Sequence, residues 1–446
     1  MDSFISKQGF NTKKIIRTGI ILILLGLVFG VLGAIQYAIP GFLKEQLSFE
    51  KIRPLHVSSA LFWIILTATG TLITYLQEHT GKSIHSTIFL RIQYYLFVLA
   101  ITCIFICYFA GIFGGREYWE YPPYISILII LGWVLLLINY LKSIKSLKQQ
   151  PVYIWMWLTG ILFFLFTFSE SYLWLFPYFK NNIINDMTIQ WKSYGSMVGA
   201  WNMLIYGSSV FLMSKINNNN ALAYNKTAFA LYFIGLFNLM FNWGHHIYTL
   251  PTHQYIRQIS YGVSMTELIL LGHIIYDWKK HLSASHKFNS IISFRFILAA
   301  DAWILLNLIL AIGMSIPAIN LYTHGTHITV AHAMGTTIGI NSMLLLAFVV
   351  DILLGAQQNK QPVKKWISFG FWISNASLLI FWISLIITGI LKAKWQMSTD
   401  PSVFSVMMLQ LKPLFMVFLF SGTTLAIGLI LILFPLLKNK QHASSN

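Results

Sequence analysis

Five histidines lie inside or at the edges of long apolar segments of this chain: His56, the adjacent pair His245 and His246, His327 and His332. An imidazole in hydrocarbon is costly, so histidines at membrane depth are rare and usually bind something. A pair on one helix can face a histidine on a later helix across a bundle, while His56 reaches in from an early one. That arrangement suits ligation of a metal and of haem inside a membrane.

Each cluster also has a plainer reading. In Arg53-Pro54-Leu55-His56 the histidine, taken alone, reads as part of a polar helix start. The alternative puts His56 on a haem iron and Arg53 on a propionate, since a guanidinium fits a carboxylate bidentately. In Gly244-His245-His246, with Pro251 after it, adjacent side chains on a helix point about 100° apart. Both reach one metal only near a helix end or a bend, which the flanking Gly and Pro supply. In Thr326-His327 to His332-Ala333-Met334, positions 332 and 334 turn to nearly opposite sides of a helix, a spacing that would serve two irons lying on either side of it. A methionine in an apolar run is by itself core filler.

The elements that must carry these residues follow from composition. The 446 residues are 57% hydrophobic and 10% charged, with mean hydropathy +0.67. A soluble domain does not need so much apolar surface, whereas a polytopic helical membrane protein does. Apolar runs of spanning length fall near 16–38, 55–77, 88–113, 124–145, 152–177, 194–214, 226–248, 258–278, 290–316, 328–355, 366–391 and 404–436. The expected fold is therefore all-α, a twelve-transmembrane-helix bundle in a single domain over residues 1–446. The net charge of +17 does not indicate nucleic acid, because the basic residues sit in short loops between apolar runs. Lys7, Lys13, Lys14 and Arg17 open the chain, and alternate loops carry Lys142, Lys145 and Lys148; Lys279, Lys280 and Lys287; Lys360, Lys364 and Lys365; then Lys438 and Lys440. By the positive-inside rule both termini are cytoplasmic, and the first segment reads as a retained anchor. Cys103 and Cys107 share one apolar run and read as packing residues. No phosphate loop, CxxCH or metal-binding CxxC appears and no soluble domain is appended, so the chemistry lies within the bundle and electrons come from elsewhere.

Twelve helices, an early "RPLH", a "GHH" on the seventh helix and "HGTHITVAH" on the tenth together resemble the catalytic subunit of the haem-copper oxidase superfamily over essentially the whole chain. The resemblance implies that His56 ligates a low-spin haem, His245 and His246 a non-haem metal, and His332 a high-spin haem. Gly115-Arg116-Glu117-Tyr118-Trp119-Glu120 looks like the "GRExxE" of nitric oxide reductase large subunits. It implies calcium at Glu117, a propionate partner in Arg116, and an outer-side proton route through Glu120. Glu267 matches a carboxylate that those enzymes keep near the active site. Oxygen-reducing members place a tyrosine six residues before the histidine pair in the relatives most like this chain, and here that residue is Leu239.

Two departures bear on function. The family's third metal histidine comes from helix six, which here reads Tyr194-Gly195-Ser196-Met197 and holds no histidine. The metal is left with two imidazoles plus water, Glu267 or a nearby side chain, a donor set that shifts preference from copper toward iron. Met334 stands where the family has the distal histidine of the low-spin haem, and a thioether raises the potential relative to a second imidazole.

The resemblance thus implies a terminal reductase of the bacterial cytoplasmic membrane. It would carry two haems, b-type in expectation, with non-haem iron and calcium, and would reduce nitric oxide to nitrous oxide with electrons from a membrane-anchored cytochrome c. The departures leave open a non-catalytic haem-binding paralogue and, third, an oxygen reductase.

Overall fold

A computed structural model of the chain describes residues 10–264 and 266–438; Lys7, Met265 and Lys440 lie outside the described residues. Twelve helices among these are long and apolar enough to cross a membrane. We label them α1 (Lys13–Ala38), α2 (Phe49–Thr80), α3 (Thr87–Ala110), α4 (Pro123–Ser143), α5 (Val152–Leu175), α6 (Ile183–Asn217), α7 (Lys226–Ile247), α8 (Gln254–His281), α9 (Ile291–Ser315), α10 (His327–Leu354), α11 (Val363–Gln396) and α12 (Phe404–Lys438). Their outward faces carry Ile88, Ile106, Leu305 and Ile309, each more than half exposed. Apolar surface of that kind on a helix that crosses a membrane belongs against lipid.

Local chemistry sets the helix ends. The Ser86 side chain accepts from the Phe89 amide to open α3, and Gly111, at φ 74°, closes it in the left-handed region that glycine enters without strain. Asn182 opens α6 by accepting from the amides of Ile184 and Asn185. This helix begins well before the expected 194. The polar stretch 178–193 reads as a connection because its side chains are hydrophilic, yet from Ile183 on it is helical. The polar groups are matched inside the protein: Asp186 pairs with Arg116 at 2.7 Å, and Lys192 pairs with Glu170. Hydropathy sees the charges and not their partners.

Three spans depart from regular α geometry at the residues of interest. Helix α7 is α-helical to Phe241 and then tightens into a 3-10 turn over Asn242–Ile247. Helix α8 has two parts, Gln254–Val263 and Thr266–His281. In α10 a regular segment, His327–Met334, runs into a π-helical stretch, Gly335–Ser342, before resuming at Met343. Such wide turns concentrate at functional sites.

The chain forms two compact units. The first comprises residues 10–15, Ala68–His281 and Ile304–His324. Its interior is aromatic: Trp133 stacks on Phe164 at 4.1 Å, and the Trp157 indole donates to Ser208 Oγ at 3.1 Å. The second comprises Ile16–Thr67, Leu282–Trp303 and residues 325–438. There the Trp303 ring lies where a Cβ on Gly339 would come within 2.5 Å of it, and its indole donates to Asn375 Oδ1 at 3.0 Å. The Trp63 indole likewise donates to Ser342 Oγ at 3.1 Å. Buried indoles with partners of this kind hold helices at fixed rotation.

Candidate functional site

In the second unit, His56 sits in the second turn of α2 with its Nδ1 2.7 Å from the carbonyl of Gly26 on α1. A carbonyl only accepts, so Nδ1 carries the proton and Nε2 keeps a lone pair for a metal. A backbone carbonyl behind a ligating histidine orients ligands in just this way. The ring has room because α1 presents glycine to it: a Cβ on Gly30 would lie 2.9 Å from Cε1 of His56. Beside the ring is a cavity of about 60 Å³ lined by His56, Met334, Ala60, Trp63, Leu346 and Leu433 among others. An imidazole with a directed lone pair and a thioether, set in apolar surroundings, are donors of the kind that would hold a low-spin haem. Thus the structure brings His56 and Met334 to one cavity.

His332, on α10, is half-buried, and its Nδ1 is buried without a hydrogen-bond partner. His327, at the first position of α10, lies between the rings of Tyr37 and Phe415, at 6.3 and 5.6 Å. Arg53, three residues before His56, lies within electrostatic reach of the Tyr37 phenol.

In the first unit, the 3-10 turn at the end of α7 brings the rings of His245 and His246 to 4.2 Å between centroids, 41° apart. A 3-10 turn sets adjacent side chains about 120° apart, so the two rings meet through their side-chain torsions at this helix end and not through the tighter winding. His245 Nδ1 lies 3.1 Å from Asn242 Oδ1, and an imidazole that donates there carries its lone pair on Nε2. His246 is stacked on Trp191 of α6 at 4.9 Å and 13°. Two adjacent imidazoles, one directed by Asn242 and the other stacked on Trp191, are a donor pair of the kind a metal ion takes, with water or oxygen donors completing the sphere. Among the described residues no group of three His, Cys, Asp or Glu side chains converges on a metal position. Glu267 therefore does not form a three-residue group with the histidines. It is buried at the start of the second part of α8, with Oε2 lacking a hydrogen-bond partner, in electrostatic range of Tyr206.

The "GRExxE" residues form a tight turn between α3 and α4. The amides of Gly114 and Gly115 both donate to the Glu120 carbonyl at 3.0 Å, and that of Trp119 donates to the Arg116 carbonyl at 2.8 Å. Any side chain at Gly115 is barred, since its Cβ would lie 1.8 Å from the Trp119 carbonyl oxygen. Arg116 ties the turn to α6 through Asp186 at 2.7 Å and Gln190 at 3.2 Å, and its guanidinium lies over Trp174. Next to it, Tyr121, Ser126 and Tyr172 form a buried hydroxyl cluster, with Tyr121 and Tyr172 3.3 Å apart. Burial first, and the neighbouring Tyr172 second, push the Tyr121 phenol well above its ordinary value, so it stays protonated. Glu117 and Glu120 lie in the turn, both within electrostatic range of Tyr194. With no acidic cluster around it among the described residues, calcium at Glu117 would need backbone carbonyls and a ligand's own oxygens.

Sequence reasoning misses Trp191, Asn242 and Gly26. Trp191 falls in a stretch that reads as a loop, Asn242 is hidden by assuming a regular helix, and a backbone carbonyl leaves no mark in the side-chain pattern.

Comparison with known proteins matches this architecture. The family model for cytochrome c and quinol oxidase polypeptide I covers residues 12–438. The chain is similar to the B chain of nitric oxide reductase from Stutzerimonas stutzeri, 21% identical over 88% of this chain and 87% of that one. It is similar to cytochrome c oxidase subunit 1 of Rhodobacter capsulatus at 22% identity over 88% of this chain and 78% of that one. Its fold matches a haem-copper terminal oxidase solved as a dimer, with a TM-score of 0.70 at 14% identity over 96% of this chain and 84% of the other. An all-α chain of twelve spans, with histidines on its second, seventh and tenth helices, belongs to the cytochrome c and quinol oxidase polypeptide I family, the oxidoreductase subunit that holds haem and a metal centre in the membrane.

Proposed function

We propose that this protein reduces nitric oxide to nitrous oxide, joining two molecules with two electrons and two protons and releasing water. The observation that carries this reading is the tight "GRExxE" turn anchored to α6, together with an aliphatic residue where oxygen-reducing relatives have tyrosine. Leu239 is 2% exposed and packed against Gly199, so no redox-active side chain occupies its place. Four-electron reduction of oxygen draws on such a tyrosine, and two-electron reduction of nitric oxide does not. Similarity to a nitric oxide reductase chain over 88% of this one supports the same reading.

Two haem irons and a non-haem iron would supply the electrons and the sites for nitric oxide. This chain's residues hold and serve them. His56, oriented by the Gly26 carbonyl, and Met334 would take the low-spin haem, with Arg53 toward a propionate. Arg116 reaches a propionate only through N–H groups left over from Asp186 and Gln190, and a guanidinium has five. His332 would hold the high-spin haem, and His245 and His246 the non-haem iron. Glu267, a buried carboxylate, would accept and release a proton, and Glu120, next in sequence to Tyr121 and in electrostatic range of Tyr194, would take protons from the outer side. Glu117 would bind calcium. Electrons would arrive from a membrane-anchored cytochrome c at the outer face of a bacterial inner membrane, with both termini cytoplasmic.

The test is elemental and haem analysis of the purified protein alongside consumption of nitric oxide and of oxygen. Two haems, one non-haem iron and nitric oxide consumption are expected; oxygen consumption without nitric oxide turnover would overturn the proposal. One observation favours a second reading, a haem-binding protein without dinuclear chemistry: the described residues gather only two imidazoles at the metal position. Haem without bound iron or copper would select that reading.

A further inference from the structure

Helix α6 lacks the histidine expected of it, yet it lies against the histidine pair more closely than a side chain would allow. A Cβ on Gly195 would be 2.7 Å from Trp243 Cβ and 3.0 Å from its Cα. One turn on, a Cβ on Gly199 would be 2.9 Å from Leu239 Cα. Backbone and Cβ atoms cannot swing aside, so nothing larger than glycine fits at either place. Gly195 and Gly199 are four apart on α6, as are Leu239 and Trp243 on α7, which is the pattern of two helices packed through small residues. Depending on register, Tyr194, Gly195 or Ser196 takes the missing ligand's place on α6, and at Gly195 the space is filled by the neighbouring helix.

The same seam decides what meets the histidines. Trp191 is one turn before Gly195 on the same face of α6, and its ring lies parallel to His246, 13° apart at 4.9 Å. Trp191 is itself held on several sides. Gln190 accepts from Arg116, Lys192 pairs with Glu170, and the indole meets Tyr194 edge-on at 6.4 Å. Tyr194 in turn meets Tyr118, in the turn between α3 and α4, at 5.6 Å.

We propose that α6 serves the His245–His246 site as an aromatic wall instead of a ligand donor, with Trp191 as the positioning residue that holds His246 by ring stacking. This rests on the reading of His245 and His246 as metal ligands. An imidazole that coordinates a cation becomes more electropositive, and the face of an indole attracts positive charge. The stack is then stronger in the metal-bound state than in the free one. By thermodynamic reciprocity it raises metal affinity by the same factor. A stacked indole thus recovers part of the affinity that a third imidazole would have supplied.

The test uses full-length protein in detergent, with wild type, Trp191→Phe, Trp191→Leu, Gly195→His and His245→Ala compared. Iron(II) and cobalt(II) affinities are read by competition with a chelator. The His246 ring is followed by NMR of histidine-labelled protein, assigned with His246→Ala. Trp191→Leu is expected to lose the ring-current shift on His246 and weaken metal binding about tenfold or more, the usual effect of removing a group that orients a ligand. Trp191→Phe should restore most of both, and full haem content in each variant shows that the fold is kept. Gly195→His should bring no gain in affinity. Unchanged affinity in Trp191→Leu, or tighter binding in Gly195→His, would overturn the proposal while leaving the metal reading intact. Equal binding by wild type and His245→Ala would remove the metal reading and the proposal with it.

Discussion

Under the proposed function the two compact units would solve the same problem, holding an imidazole for a metal, by opposite means. In the second unit His56 sits within a long regular helix, its tautomer is set by a backbone carbonyl, and glycine on α1 makes room for the ring. In the first, His245 and His246 occupy a 3-10 turn at a helix end, and what orients them is side chains, Asn242 for one and Trp191 for the other. Main-chain partners on regular helices survive most substitutions. Side-chain partners on an irregular turn can each be deleted singly. The comparison teaches that, in the proposed reading, the His245–His246 position is the fragile half of the chemistry and the His56 site the robust half.

The largest effect should come from breaking the fragile half outright. His245→Ala/His246→Ala removes both candidate donors, and among the described residues no other His, Cys, Asp or Glu joins them in a group. We expect complete loss of non-haem metal and of nitric oxide reduction, with haem content unchanged, and no recovery on adding iron back. Nitric oxide turnover by this double variant would show that the chemistry does not run through these histidines.

A smaller but still qualitative effect is expected at His332. With Ala there, reduced protein should no longer bind carbon monoxide, while the spectrum of the other haem stays as in wild type. A carbon monoxide difference spectrum that survives intact would reassign His332 as a packing residue.

In the robust half, substitution should tune and not abolish. Met334 lines the cavity beside His56. Replacing it with His exchanges a thioether for an imidazole, which favours the ferric state, so the midpoint potential of that haem should fall. Near-infrared absorption from thioether–iron charge transfer should vanish with it. An unmoved potential in a variant with full haem content would make Met334 core filler.

How far the sequence can be read follows the same division. All twelve spans are legible, because lipid demands long apolar runs whatever the packing. The His56 environment is half legible: the histidine and Met334 stand out, while the Gly26 carbonyl behind the ring leaves no sequence mark. At the histidine pair, Gly244 before the pair and Pro251 after it announce a bend, and the 3-10 turn is there. Trp191 is illegible for a definite reason. The polar residues around it pair with Arg116 and Glu170, which are distant in sequence, so hydropathy alone makes a loop of what is helix. The absent helix-six histidine reads as a missing ligand. Only geometry reveals that Gly195, one of the three positions open to it, leaves no room for a side chain.

The smallest predicted effect concerns how the first unit supports its aromatic wall. Tyr118, in the turn between α3 and α4, has φ 70°, a left-handed conformation unfavourable for a bulky residue. Holding it there costs about 1–3 kcal/mol, which the surroundings must offset. Its ring meets Tyr194 edge-on at 5.6 Å, a contact worth about 0.5–1.5 kcal/mol beyond burial. Tyr118→Gly removes the strain and the contact together, so the two terms oppose each other and thermal stability in detergent should barely move. Tyr118→Phe keeps both, and Tyr118→Ala keeps the strain but loses the ring. The predicted order of thermal midpoints is Phe and wild type together, Gly close to them, and Ala lowest. A Gly variant as unstable as Ala would mean that the ring, and not the backbone, governs the turn. The turn would then be an ordinary packed loop, with no stored strain behind the wall that holds His246.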